Sequence, residues 1–402
     1  MKAIILMMAA AAGLAPAFAG DALEARMDKA WRTLMDVKWS AKTGLICGTR
    51  PSEVKPACEF TDGLYRWSKE NKDGYGRGMT DGAIVNGVSL AMLCDRYAVT
   101  KDEAVKADAA KVAKGLVSLA TLHGRRGFVA RGICEEDGRS ICALSSVDQV
   151  THWYHGLWRY QAAGLATPEE RATIARLFTE VAERITREAT AENGYRFRQA
   201  DGEPDPRGIC SVWDALPPKE RKSVHGATRL PMIYLATFDL TGDRKWKDLY
   251  EKYVDTALEV NLRLRDEDPK QWRWNMPTYS ILQMNSANEV IYLLERDPRR
   301  RELVAECMRA GAKVADGRQK DMIADPSRKW YGMCPEGELA LAMLLAPGFD
   351  YDATERGFIA ARLAKVDPSR PETLNVSHFV GAYWRLRRNT SAEGAPCAKG
   401  MK

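Results

Sequence analysis

Apolar positions recur at helical spacing along most of the chain, and the alternation expected of strands is almost absent. The stretch from Thr167 shows the pattern in full. Thr167 suits an N-cap, Pro168 a first helical position, and Glu170 completes a capping box. Ile174, Leu177, Phe178, Val181 and Ile185 then fall on one helix face. The same kind of junction recurs. Thr100, Lys101, Asp102 and Glu103 follow the apolar run Ala83–Val99 and open Ala104–Leu122. Thr241, Gly242 and Asp243 follow His225–Leu240 and open a helix with Trp246, Leu249, Tyr253 and Leu258 inward. Asp297 and Pro298 follow Tyr279–Leu294, and Asp350 follows Leu339–Leu345.

These junctions are 67, 74, 56 and 53 residues apart, the signature of stacked helix pairs. Longer Gly/Pro-rich loops over 123–145, 193–223, 264–276 and 315–336 join one pair to the next. A helix near Ala22–Met35 and another near Asn375–Arg388 are left to pair with each other and close a ring. The expected fold is therefore all-α, an (α/α)6-type toroid, with (α/α)7 as the alternative count and an open helical solenoid as the competing architecture. In such a ring the inner helices run parallel, so their N-termini and the long loops share one end and form one cleft there. Helix N-termini favour anionic ligands.

The first residues add an address. Lys2, the apolar run Ala3–Leu14 and the small-residue exit Ala17-Phe18-Ala19 are the three parts of a cleavable export signal. A membrane anchor would need about 20 apolar residues. The expected organisation is a signal over 1–19 and a single catalytic domain over 20–402, exported to the periplasm or secreted. Removing Lys2 lowers the formal charge from +6 to +5, and no basic block points to nucleic acid. No later stretch is apolar enough to span a bilayer.

Export makes disulfides available to the nine cysteines. Cys47 with Cys58 and Cys134 with Cys142 bracket loops and are the expected pairs, with Cys210 and Cys334 as a third. Cys94 and Cys307 lie in apolar helical patterns and read as buried thiols. No Cys/His cluster has zinc spacing, so no metal or other cofactor is expected.

Polar residues gather where a toroid puts its cleft. Asp148, Gln149, His152, Trp153 and His155 open the second inner helix, and His225 and Arg229 the third. Trp274, Asn275, Tyr279 and Gln283 open the fourth, Asn375 and His378 the closing one, and Asp81 the first. Four of the five histidines occupy such positions. Ordinary packing competes with each reading: Asp81 and Asp148 suit helix N-termini, and Trp153, Trp158, Trp213, Trp272 and Trp274 suit interhelix packing as well as sugar stacking. Three chemistries fit these residue types. β-Elimination on a uronic-acid polymer needs a neutralised carboxylate and a proton-transfer group, which His225, Arg229, Tyr279 and His378 supply, with His152 nearby. Glycoside hydrolysis needs two carboxyl groups, and Asp81 and Asp148 are the natural pair. Metal-assisted chemistry at Asp148, His152 and His155 is the third.

The segments Asp81-Gly82-Ala83, Gly127–Gly132, Ser145–Gln149, Gly156-Leu157-Trp158 and Leu240–Asp243 resemble bacterial (α/α)-toroid enzymes that act on uronic-acid polysaccharides. The resemblance spans roughly residues 75 to 300 and is closest to the glucuronan-type polysaccharide lyases. It implies metal-independent elimination on a glucuronan-like acidic polysaccharide, with Tyr279 as base and acid and with His225, His378 and Arg229 on the carboxylate. His152 completes the catalytic group, and Asp148, Gln149, Asp81, Trp153 and Trp274 would bind substrate. The unsaturated glucuronyl hydrolases, with Asp81 and Asp148 as the two catalytic acids, are the alternative family. A non-catalytic glycan-binding protein is the third reading.

Overall fold

The computed structural model describes residues 21–48, 50–53, 63–65, 81–188, 190, 198–204, 224–267, 272, 276–325, 335–350, 367, 369 and 373–390. Residues 1–19, with Cys58, Cys210, Cys334, Trp213, Trp274 and the side chain of Asn375, lie outside them.

The protein is all-α. Its helices are α1 (Asp21–Lys38), α2 (Gly82–Thr100), α3 (Glu103–Thr121), α4 (Val147–Ala162), α5 (Pro168–Glu188), α6 (Arg229–Thr241), α7 (Arg244–Asp266), α8 (Thr278–Leu294), α9 (Pro298–Ala324), α10 (Pro335–Leu345) and α11 (Thr373–Thr390). The strands among the described residues are two residues long, with isolated bridges Ile133–Ile141 and Arg198–Pro204 beside them. Trp39–Ser40 pairs antiparallel with Leu45–Ile46, and Leu64–Tyr65 pairs parallel with Ile141–Cys142.

The helices divide into two kinds. Along α2 every residue from Gly82 to Arg96 is buried, and α8 and α10 are buried on nearly every side. A helix apolar all round belongs inside. By contrast α5 buries a single stripe containing Ile174, Leu177, Phe178, Val181 and Ile185, as its spacing predicts. Each such side chain contributes about 1.5–3 kcal/mol of burial. Helix α7 buries Trp246, Tyr250, Val254 and Leu258, so Tyr250 takes the fully inward place expected for Leu249 and Tyr253.

Contacts among α2, α4, α6, α8, α10 and α11 close a cycle, each touching the next and α11 returning to α2. Outside them α3 packs on α2, α5 on α4 and α6, α7 on α6, α9 on α8, and α1 on α11. The terminal helices thus pair as expected. One hydrophobic core runs from Met27 to Leu386.

Tight junctions follow a shared design. Thr100 and Thr241 are the last residues of their helices; the next residue, Lys101 (φ 53°) or Gly242 (φ 68°), is left-handed. Asp102 and Asp243 then cap the next helix, accepting from Ala104 N and Lys245 N at 2.8 and 3.1 Å. The predicted capping box forms: Glu170 N donates to Thr167 Oγ1 at 3.2 Å, and Thr167 N to Glu170 Oε2 at 2.9 Å. Two boundaries move. Helix α9 continues through the loop expected from 315, because Val314, Ala315 and Met322 are buried and Arg318 donates to the carbonyls of Trp272 and Met276. His225 precedes α6 in a turn over 224–228 instead of opening the helix.

Helices α2 and α4 approach closely through glycine. A Cβ on Gly87 would lie 2.2 Å from the His152 carbonyl oxygen, and one on Gly156 would lie 2.8 Å from Gly87 Cα. Gly87→Ala should therefore cost about 1–3 kcal/mol, read as a lowered urea midpoint. An unchanged midpoint would mean that the contact is loose.

The cysteines correct an expectation. Cys134 and Cys142 are both buried and no disulfide joins them. Burial pushes the Cys134 thiol well up, with Asp137 and Glu136 adding to the shift. Cys94 and Cys307 are buried thiols, as expected. No described helix is long and apolar enough to cross a membrane.

Candidate active site

The N-terminal ends of the cyclic helices carry the candidate residues. Asp81 stands at the N-cap of α2 with a left-handed backbone (φ 66°), yet its side chain caps nothing. Its Oδ1 accepts instead from Arg131 Nη2 and Gln149 Nε2, both at 2.6 Å. Gly82 N donates to the Arg131 carbonyl at 2.6 Å, which holds the turn. Aspartate tolerates the left-handed region better than most residues.

Arg229, fully buried in the first turn of α6, links three helices. Its Nη1 donates to Asp148 Oδ1 of α4 at 2.6 Å and its Nη2 to Gln283 Oε1 of α8 at 2.7 Å. Its Nε makes no hydrogen bond. Tyr279 lies four residues before Gln283, hence on the same face of α8, and is partly exposed.

Three histidines belong to this end. His152 is buried in α4, and its Nδ1 has no partner. Burial lowers its pKa well below the usual value, and nearby His155, His378 and Arg229 lower it further. His225 is partly exposed; burial and then Arg229 bring its pKa to about 3, against the pull of Asp148. His378 is buried in the first turns of α11, beside Ser377, whose hydroxyl lies 2.8 Å from that of Ser89 on α2. Both His152 and His225 are therefore neutral imidazoles near pH 7.

These shifts set a pH dependence. The unfolded chain binds protons at these histidines below its ordinary pKa of about 6.5, whereas the fold does not. Stability is full above that pH and declines as pH falls toward the folded values, about 3 for His225. Between pH 7 and 5 the loss should reach about 2 kcal/mol per histidine, measured as a falling urea midpoint. A flat midpoint across that range would show that the folded rings take up protons normally.

His155 faces elsewhere. Its Nε2 lies 2.7 Å from Glu289 Oε2 in the middle of the helix cycle, where Arg159, Arg385, Arg388 and Asp95 complete a buried ion cluster. Arg159 reaches Glu289 at 2.7 Å and Asp95 at 2.5 Å; Arg385 reaches Glu289 at 2.6 Å and Asp95 at 2.8 Å. Burial would raise the pKa of both acids, but the guanidiniums hold Asp95 at about 2 and Glu289 well below its usual range. With His155 turned to Glu289 and Asp148 to Arg229, the triad Asp148, His152 and His155 converges on no common point. No group of three His, Cys, Asp or Glu residues suited to a metal ion occurs among the described residues.

Trp153 is corrected. Its ring is fully buried, its Nε1 donates to the Leu116 carbonyl at 2.8 Å, and it packs on Tyr154 and Phe178. A wholly enclosed indole presents no face to a sugar. Trp158 is buried likewise and donates to Asp239 at 3.1 Å, while Arg263 stacks over Trp272. Arg131 and Glu289 were not marked by the pattern along the chain. Arg131 comes from an irregular loop, and Glu289 sits within α8 behind Asn285, Ser286 and Asn288, where its charge was the available signal.

The chain matches no protein-family model, and no curated protein matches it.

Proposed function

We propose that the protein is an exported polysaccharide lyase that cleaves a glucuronan-like uronic-acid polymer by metal-independent β-elimination, built as an (α/α)6 toroid. The observation that carries this reading is the engagement of both candidate carboxylates. Asp81 is held by Arg131 and Gln149, and Asp148 by Arg229, each at 2.6 Å. A hydrolase needs one carboxylic acid to protonate the leaving oxygen and a second carboxylate opposite it. Tyr279, His152, His225 and His378 belong to the same end and have the chemistry for proton transfer and carboxylate binding.

In this reading the neutral imidazoles of His152 and His225, together with His378, donate hydrogen bonds to the substrate carboxylate and stabilise the charge that develops on it. Tyr279 Oη takes the C5 proton. The C5–H electron pair becomes the C4=C5 double bond, the C4–O bond breaks, and the departing oxygen receives the proton from Tyr279. No water is consumed. Arg229, wholly buried, acts by fixing Asp148 and Gln283 around the site, without touching the sugar.

Ultraviolet absorbance tests the proposal. Purified protein mixed with glucuronan, alginate or a similar polymer should generate the absorbance of a C4=C5 double bond. Loss of that absorbance from pre-cut unsaturated oligosaccharides would support the glucuronyl hydrolase reading instead. Polymer retardation in an affinity gel with neither change would leave a glycan-binding protein.

A further inference from the structure

Arg229 fixes which atoms its two partners present to the cleft. A guanidinium carries donors and no acceptor. Gln283 must therefore turn its amide oxygen toward Arg229, as the 2.7 Å contact from Nη2 shows, and its Nε2 away. Asp148 is set in the same way: Oδ1 takes Nη1 at 2.6 Å, and Oδ2 is left over.

Both leftover atoms are open. Gln283 Nε2 and Asp148 Oδ2 make no hydrogen bond among the described residues. Gln283 is only 1% exposed, yet its Nε2 is not sealed from solvent as Arg229 Nε is. The Asp148 side chain is 30% exposed. A nearly buried donor without an acceptor is costly, so a ligand that supplies one gains from it.

Their surroundings are the groups assigned to the chemistry. Asp148 lies one turn before His152 on α4, and Gln283 one turn after Tyr279 on α8, so each pair shares a helix face. Helices α4, α6 and α8 touch pairwise, and Arg229 of α6 ties the two faces together.

The two open atoms have opposite polarity. Nε2 needs an acceptor and Oδ2 needs a donor. A sugar carboxylate or ether oxygen satisfies Gln283 alone, and a carboxylate is repelled by Asp148. A hydroxyl both donates and accepts, and a sugar presents several.

We infer that Asp148 and Gln283 bind hydroxyl groups of the sugar in the candidate active site, the hydroxyl donating to Asp148 Oδ2 and accepting from Gln283 Nε2, with Arg229 as their positioning residue. This rests on the uronic-acid reading of the site and names the residues that select the hydroxyl side of that sugar.

Isosteric exchanges test it while leaving Arg229 its two acceptors. Asp148→Asn turns the open acceptor into a donor, and Gln283→Glu turns the open donor into an acceptor. Binding of a glucuronate trisaccharide is read by calorimetry in full chains that also carry Tyr279→Phe, so that cleavage does not consume the probe. Each exchange should weaken binding at least tenfold, because it sets like against like at the hydroxyl. Charge alone would make Asp148→Asn bind an acidic sugar more tightly. The double exchange Asp148→Asn/Gln283→Glu restores one donor, one acceptor and the net charge, and should recover most of the lost affinity. Should Asp148→Asn alone misfold, the double variant, which keeps a carboxylate on Arg229, still gives the comparison with Gln283→Glu. The inference is overturned if the trisaccharide does not bind, if the folded single variants bind as tightly as Tyr279→Phe alone, or if the double variant is as weak as the singles. The expected binding pattern with no absorbance rise from the parent chain on any polymer would sink the lyase reading and leave the hydroxyl contacts standing.

Discussion

Replacing Tyr279 by phenylalanine is expected to abolish elimination, lowering turnover of a uronic-acid polymer by about 10²–10⁴-fold, the usual contribution of a positioned proton-transfer group. The change removes one hydroxyl from a partly exposed residue in the first turn of α8. The backbone and the aromatic ring remain, so the melting temperature should hold and substrate should still bind. The loss belongs in kcat more than in KM, because the hydroxyl is needed in the transition state and little before it. Retained turnover in Tyr279→Phe would remove Tyr279 from the chemistry and shift the proton transfer to His152, His225 or His378.

Glu289→Gln should produce the largest loss of stability in the molecule, about 3–5 kcal/mol, the cost of breaking a buried ion pair by removing one partner. Glu289 accepts from Arg159 and Arg385 and meets His155, all within 2.7 Å, in a region from which water is nearly excluded. With its charge gone, Arg159 and Arg385 keep Asp95, which Arg388 also contacts. An exposed pair gives the contrast. Asp248→Asn breaks the Arg244–Asp248 bridge, whose partners are 82% and 63% exposed, and should change stability by less than about 1 kcal/mol. Chemical denaturation of the two variants beside the parent checks both values. Equal effects would mean that the central cluster is solvated.

Much of the fold is legible along the chain because its signals are local. Helical spacing marks the stripe of α5, and Thr167, Pro168 and Glu170 announce where it starts. Thr-Lys-Asp and Thr-Gly-Asp announce the turns between α2 and α3 and between α6 and α7, since a left-handed residue and an aspartate cap serve a tight helix pair wherever they occur. The pairing of α1 with α11 follows from what remains once the other helices have partners.

The candidate site is legible only in its membership. Helical position places Asp81, Asp148, His152, Arg229 and Tyr279 at one end of the helices, as the structure has them. It does not say which groups engage one another. Asp81 finds Arg131 50 residues away, and Arg229 finds Asp148 81 residues before it and Gln283 54 residues after it. The same spacing rule joined His155 to His152 and Trp153 to the cleft. A helix three or four residues wide presents more than one face, and the neighbours decide which face is the cleft. His155 was drawn to Glu289 on α8, and Trp153 to Leu116 on α3.

By itself, then, the sequence determined the all-α class, the helix pairs and the end of the molecule where polar groups collect, because capping, periodicity and turn geometry act over a few residues. Only the tertiary structure decided that the carboxylates are engaged by arginine, that the middle of the helix cycle is closed by an ion cluster, and that a cavity with many basic residues in its wall lies beyond it. Those outcomes depend on charges brought together from distant helices, and Coulomb and desolvation energies follow distance in space, not separation along the chain.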